Sequence, residues 1–151
     1  MEAEPHLISL ASAAGDYEEG ALVRWPINGT GYRLWKLIQA VLPNFTDFDY
    51  LREFKRKNLC KFPAPDSADT LQYLWVEMER MAPPGATLVG LGVKIREAAG
   101  LPPELSPMKF VGRMGRLITW IPNPAGRNHY YNDPEVRLAV GLFLANLVKR
   151  P

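Results

Sequence analysis

Apolar positions recur at helical spacing early in the chain: Leu34, Leu37, Ile38 and Val41 form a stripe that begins after Thr30, a candidate N-cap, and stops at Pro43. Thr46-Asp47-Phe48-Asp49 then offers a cap and first-turn acids for a second helix, whose stripe Phe48, Leu51, Phe54 runs to about Asn58. Cys60 to Ser67, carrying Pro63 and Pro65, reads as a stiff linker. Beyond it, Asp69 caps a third helix with Leu71, Leu74, Trp75 and Met78 inward, ended before Pro83-Pro84-Gly85. Ala86 to Leu91 reads as a short strand or the start of a helix, and Val93 to Ala99 as a helix stopped at Gly100. Ser106-Pro107 restarts a helix to about Leu117, since proline suits the first helical position. Leu117 to Ile121 and Arg127 to Tyr131 are β-prone and flank the turn signal Asn123-Pro124-Ala125-Gly126, which predicts a hairpin. Asp133-Pro134 opens a last helix with the stripe Val136, Val140, Phe143, Leu144, Leu147.

Composition narrows the class. A chain of 151 residues that is 47% apolar suits one compact unit or two very small ones. The apolar run Leu138 to Val148 reads as amphipathic and falls short of the roughly 20 residues a membrane-spanning helix needs. The lone Cys60 excludes a disulfide framework and a multi-cysteine zinc site, and a reducing, cytoplasmic location is expected. The first twenty residues hold five acids and no Lys or Arg, the opposite of a targeting peptide. Residues 1–20 are read as an acidic, flexible terminus with Ala11 to Glu19 fraying, and ordered structure is expected from about Ala21. Charge alternates along the rest: residues 21–62 carry eight basic and three acidic side chains, 63–105 three and six, 106–151 seven and two. Two basic blocks among acidic ones describe a polarised surface suited to a polyanion, or simply solvated faces.

From Asp69 the order helix, short strand, helix, turn, helix, hairpin, closing helix is that of a winged helix domain. The stretch Pro107-Met-Lys-Phe-Val-Gly-Arg-Met-Gly-Arg-Leu-Ile-Thr-Trp120, with Gly126-Arg-Asn-His-Tyr-Tyr131, is similar to the winged helix modules that close phage- and poxvirus-type primase-helicases. The resemblance covers about half the chain. It implies a DNA-binding role only, since no Walker-type loop or primase site is present. The expected fold is mainly α with a small β-hairpin: a helical pair over residues 21–62, a linker at 63–68, and a winged helix-turn-helix domain over 69–151.

In that reading Phe110, Met114 and Leu117 pack one face of the 106–117 helix while Lys109, Arg113 and Arg116 present an adjacent face to the groove. Residues 106–132 hold four basic side chains and no acid, which suits an approach to phosphates. Gly112 and Gly115 weaken a helix by roughly 1 kcal/mol each, a cost that close backbone approach would explain. Arg127 and His129 sit where a wing reaches the backbone or minor groove, with Tyr130 on the opposite side from His129. Arg52, Lys55, Arg56 and Lys57, with Lys61, form the densest basic cluster and a second candidate nucleic-acid surface, although basic runs beside a linker are usually solvated faces. Trp120 reads as core, and Trp25, Tyr32 and Trp35 as buried or as a partner site.

Enzyme readings find little support. His6 and His129 are far apart in sequence, Tyr130-Tyr131 lacks the paired-histidine motif of replication-initiator nickases, Cys60 has no nearby histidine, and Gly85, Gly90 and Gly92 match no phosphate-binding loop. The sequence therefore points to a non-enzymatic DNA-binding protein of a replication or transcription-control system, preferring duplex over single strand, with no cofactor or metal. The alternative is a protein-binding adaptor or inhibitor on the same scaffold, from a phage or other mobile element. Leu138, Leu142 and Phe143 widen the last stripe enough for a homodimer, or for burial within a monomer.

Overall fold

Pro5 is followed by four residues, His6-Leu7-Ile8-Ser9, that form β1 (His6–Ser9) inside a five-stranded sheet. The structure is a computed structural model that describes residues 5–9, 30–59, 67–124 and 128–148. After β1 come α1 (Thr30–Gln39), α2 (Asp47–Glu53), β2 (Lys55–Asn58), α3 (Ala68–Met81), β3 (Thr87–Leu91) and α4 (Val93–Ala98). They are followed by β4 (Val111–Arg113), β5 (Arg116–Ile121), a 3-10 turn (His129–Asn132) and α5 (Pro134–Val148). The sheet order is β2-β1-β3-β5-β4, parallel except for the antiparallel edge strand β4. Strands from both sides of residues 63–68 are thus hydrogen-bonded into one sheet.

This overturns the mainly helical winged helix expected above: the architecture is α/β, a mixed sheet with helices on both faces. Register explains the layering, because residues paired across strands share a face. Ile8, Leu88, Ile118 and Trp120 pack against Leu71, Trp75 and Met78 of α3 and Ile95 and Ala98 of α4. Leu7, Val89, Leu91 and Ile121, on the other face, pack against Leu34, Leu37 and Ile38 of α1, Tyr50 of α2, and Val140, Leu144 and Ala145 of α5. The stripes read for α1, α3 and α5 supply these two cores, with Trp120 buried as expected, whereas Phe48 and the Phe110, Met114, Leu117 stripe are exposed and α2 buries Tyr50 instead.

Three local departures have identifiable causes. Thr46 does cap α2, with the Asp49 amide donating to its hydroxyl and the Thr46 amide donating back to the Asp49 carboxylate. The helix ends at Glu53, however, and Lys55–Asn58 becomes an edge strand imposed by pairing with β1 rather than by its own composition. The expected helix over 106–117 is replaced by a loop and a hairpin. Met114 and Gly115, with φ of 52° and 76°, form its two-residue turn, the double positive-φ conformation that matches strand twist. The expected hairpin between 117–121 and 127–131 does not form, because β5 is already paired on both sides, with β3 and β4. Asn128 instead starts the 3-10 turn by accepting the Tyr130 amide.

The last helix docks as its stripe predicts, and Gly141 sets how closely. A Cβ at Gly141 would fall inside contact distance of the Leu37 carbonyl oxygen, so α1 and α5 touch backbone to backbone there. Gly141→Val should force the helices apart and cost about 2–3 kcal/mol, read as a lowered melting temperature. An unchanged melting temperature would contradict the contact.

Candidate anion-binding cleft

In an open, doubly wound sheet, helices on the two faces start from the carboxyl ends of the strands, and ligands collect at that end. Here α1 and α5 lie side by side on one face. Between them, around their first turns and along α1, runs a cleft of about 530 Å³. Its cationic side chains are Arg33 and Lys36 of α1 and Arg137 of α5; Tyr32, Tyr131 and Asn132 supply rings and an amide. Among the described residues no carboxylate lines the cleft, and its three cationic side chains suit an anion.

The α1 residues reach the cleft because Leu34, Leu37 and Ile38 take the opposite, buried face of that helix. Lys36 Nζ donates to Gln39 Oε1 at 2.8 Å and lies 5.4 Å from the Trp35 ring centroid. Trp35 is itself anchored, its indole donating to the Phe45 carbonyl at 3.0 Å, and Tyr32 meets it edge-on. Arg137 Nη1 donates to the carbonyls of Tyr131 and Asn132, at 2.7 and 3.2 Å, which fixes its guanidinium against the 3-10 turn. The Tyr131 hydroxyl donates to the Pro122 carbonyl. Burial, with Tyr130 alongside, pushes that hydroxyl far above its ordinary pKa, so it stays a neutral donor. The Asn128 side-chain amide donates to the Asn123 carbonyl at 2.9 Å.

The nine residues expected to meet nucleic acid are not gathered on one surface. Lys55, Arg56 and Lys57 sit on edge strand β2, while Arg113 and Arg116 flank the turn at the opposite edge, four strand spacings or about 19 Å away. The groove-reading helix that would have displayed Lys109, Arg113 and Arg116 together does not exist. Arg113 turns inward: its Nε and Nη2 donate to Oε2 of buried Glu79 at 3.0 and 2.7 Å, and Nη1 donates to the Ala99 carbonyl at 2.7 Å. Arg116 donates to the Ala82 and Met114 carbonyls. Arg52 is paired with Asp49 and Glu53 along α2. Lys109 is exposed in the loop before β4, and exposed His129 contacts Asn132 within its own turn rather than on a wing. Arg127, like Trp25, Cys60 and Lys61, lies outside the described residues.

Sequence reading missed Arg33, Lys36 and Arg137. The signal for the first two was present, since they recur three apart on the polar face of the first helix. Nothing local ties them to Arg137, more than a hundred residues later. Among the described residues, no helix is long and apolar enough to cross a membrane, and no cluster of His, Cys, Asp and Glu could hold a metal ion. No protein-family model matches the chain, and no curated protein matches it significantly.

Proposed function

We propose that the protein binds a small phosphate-bearing ring compound, of mononucleotide size, in the cleft between α1 and α5. The observation that carries this reading is the convergence of Arg33, Lys36 and Arg137 on one cleft whose lining, among the described residues, holds no acid. Guanidinium groups are suited to phosphate because their planar fork donates two parallel hydrogen bonds. Tyr32 and Tyr131 offer apolar ring surface beside the cations, the pairing that base recognition uses. The volume falls within the range of small-molecule sites and is far short of a duplex. Position in a doubly wound sheet adds an analogy of fold. The polyanion partner expected from sequence is thereby narrowed to a single phosphorylated unit, met in the cytoplasm. Binding rather than catalysis is proposed, because the lining, among the described residues, includes no carboxylate, histidine or cysteine to move a proton or attack a substrate.

The test is fluorescence polarisation with a labelled adenosine triphosphate analogue at low and moderate salt, with unlabelled single strand and duplex as competitors. Saturable, salt-weakened binding is expected, reduced by about tenfold or more in Arg137→Ala and unchanged in Lys94→Ala. Absence of binding at low salt overturns the proposal. Tight duplex binding without nucleotide binding would also overturn it and return the function to a phosphate-gripping surface.

A further inference from the structure

Beside the α1–α5 cleft sits a titratable group that is not part of its lining. His129 opens the 3-10 turn, and Asn132, which closes that turn, lines the cleft. His129 Nδ1 lies 3.1 Å from the side-chain nitrogen of Asn132. An amide nitrogen can only donate, so the ring nitrogen accepts, and the imidazole in this arrangement is neutral with its proton on Nε2. The two ends of a carboxamide point apart. With its nitrogen held by His129, Asn132 leaves the cleft its carbonyl oxygen, which has no hydrogen-bond partner among the described residues. An acceptor is the wrong end to offer an oxyanion.

A proton on the ring reverses this. An imidazolium donates from both nitrogens, so Nδ1 can then hold only the Asn132 oxygen, and the carboxamide turns over about its last torsion. The turned amide presents N–H donors where an acceptor stood. The backbone need not move, because it is held on both sides: Arg137 donates to the Tyr131 and Asn132 carbonyls, Asn128 accepts the Tyr130 amide, and Asp133 Oδ1 accepts the Glu135 amide. The titratable and charged groups around the turn are Tyr130 and Tyr131 within it, Asp133 after it, Glu135 and Arg137 of α5, and Arg33 and Lys36 of α1 across the cleft. An anion seated among the three cations adds an attraction for a positive ring beside it.

We infer that His129 is a positioning residue for the cleft: by taking up a proton it turns the Asn132 amide toward a bound phosphate, so that anion binding and protonation are coupled. The inference rests on the cleft being the phosphate site and supplies its regulation. Histidine ordinarily changes charge between about pH 5 and pH 8, so the site binds more tightly as the pH falls through that range. The coupling is reciprocal, and the ligand draws a proton onto the protein as it binds.

Calorimetric titration of the full chain with adenosine 5′-phosphosulfate tests the inference. That nucleotide keeps its charge between about pH 5.5 and pH 8, so any pH dependence across this range belongs to the protein. Affinity is expected to rise by about fivefold or more from the upper to the lower pH, with a net proton uptake read from the change in heat between buffers of different ionisation enthalpy. His129→Phe should bind with a flat profile and no proton uptake. His129→Lys, which keeps a permanent donor, should bind at the upper pH as tightly as the unaltered protein does at the lower. Circular dichroism at each pH checks the fold, because His6 loses stability over an overlapping range. Saturable binding that is independent of pH overturns the inference and leaves the phosphate site standing. An unchanged pH profile in His129→Phe overturns it as well, since the proton then lies on another group. Absence of binding at both pH values in low salt overturns the phosphate site itself, and this inference with it.

Discussion

Replacing Arg113 by methionine is expected to remove about 3–5 kcal/mol from the free energy of unfolding, more than the Gly141→Val change that parts α1 from α5. Its partner Glu79 is 3% exposed and its Oε2 accepts from Arg113 Nε and Nη2 and, at 3.3 Å, from the Trp75 indole. Taking the guanidinium away strands a carboxylate that has already lost its water. The reverse change, Glu79→Gln, should cost less, because Arg113 is 34% exposed and can turn toward solvent. Removing both charges with Glu79→Leu and Arg113→Met should recover much of the loss, since neither buried charge is then left without its partner. Arg80 provides the contrast: it meets Glu77 at 3.7 Å on the surface, and Arg80→Ala should change stability by about 0.5 kcal/mol or less. Urea unfolding of the four proteins checks the series. A loss at Arg113 no greater than at Arg80 would show that Glu79 is not held by this pair. Any loss of ligand binding in Arg113 or Arg116 variants is accordingly expected to follow unfolding rather than a missing contact.

His6 should make stability depend on acid. Burial, and then the nearby charges of Lys57 and Lys55 on β2, lower its pKa from 6.5 to about 4. The unfolded chain therefore takes up a proton at this histidine as the pH falls below 6.5, while the folded chain does so only near 4. Stability from His6 is complete above the higher value, declines between the two, and is lost below the lower. The full effect is about 3 kcal/mol. His6→Val, which keeps a strand-forming side chain, should flatten the stability profile between those two pH values. Parallel profiles for the two proteins would mean that the imidazole is not held neutral in the sheet.

Helical periodicity is the readable part of the sequence. The stripes of α1, α3 and α5 and the caps at Thr46 and Asp133 all report on contacts within a few residues. What decides the fold is strand pairing between distant segments. His6–Ser9 is too short to announce itself, and Lys55–Asn58 has the composition of a solvated helix face; each is a strand because the other is there. The 106–117 segment misleads for a related reason. Its apolar spacing fits a helix, yet the residue that matters is Gly115, whose positive φ closes a turn. The cleft is illegible for the same cause as the sheet: Arg33 and Arg137 reach one cleft only after the four strands between them have been ordered. Basic residues that look functional by density, such as Lys55 and Lys57, follow from the need to guard an edge.

The central position of β1 also bears on how the chain is assembled. It is made before both of its partners, so Leu7 must wait for Arg56 on one side and Val89 on the other. At a synthesis rate of roughly 5–20 residues per second, that leaves an apolar strand with two open edges for several seconds on the ribosome. Its neighbours are all parallel to it and reached through helical crossovers, so no local hairpin can shelter it meanwhile. The segment that organises the finished sheet is thus the one most dependent on protection while the rest of the chain emerges.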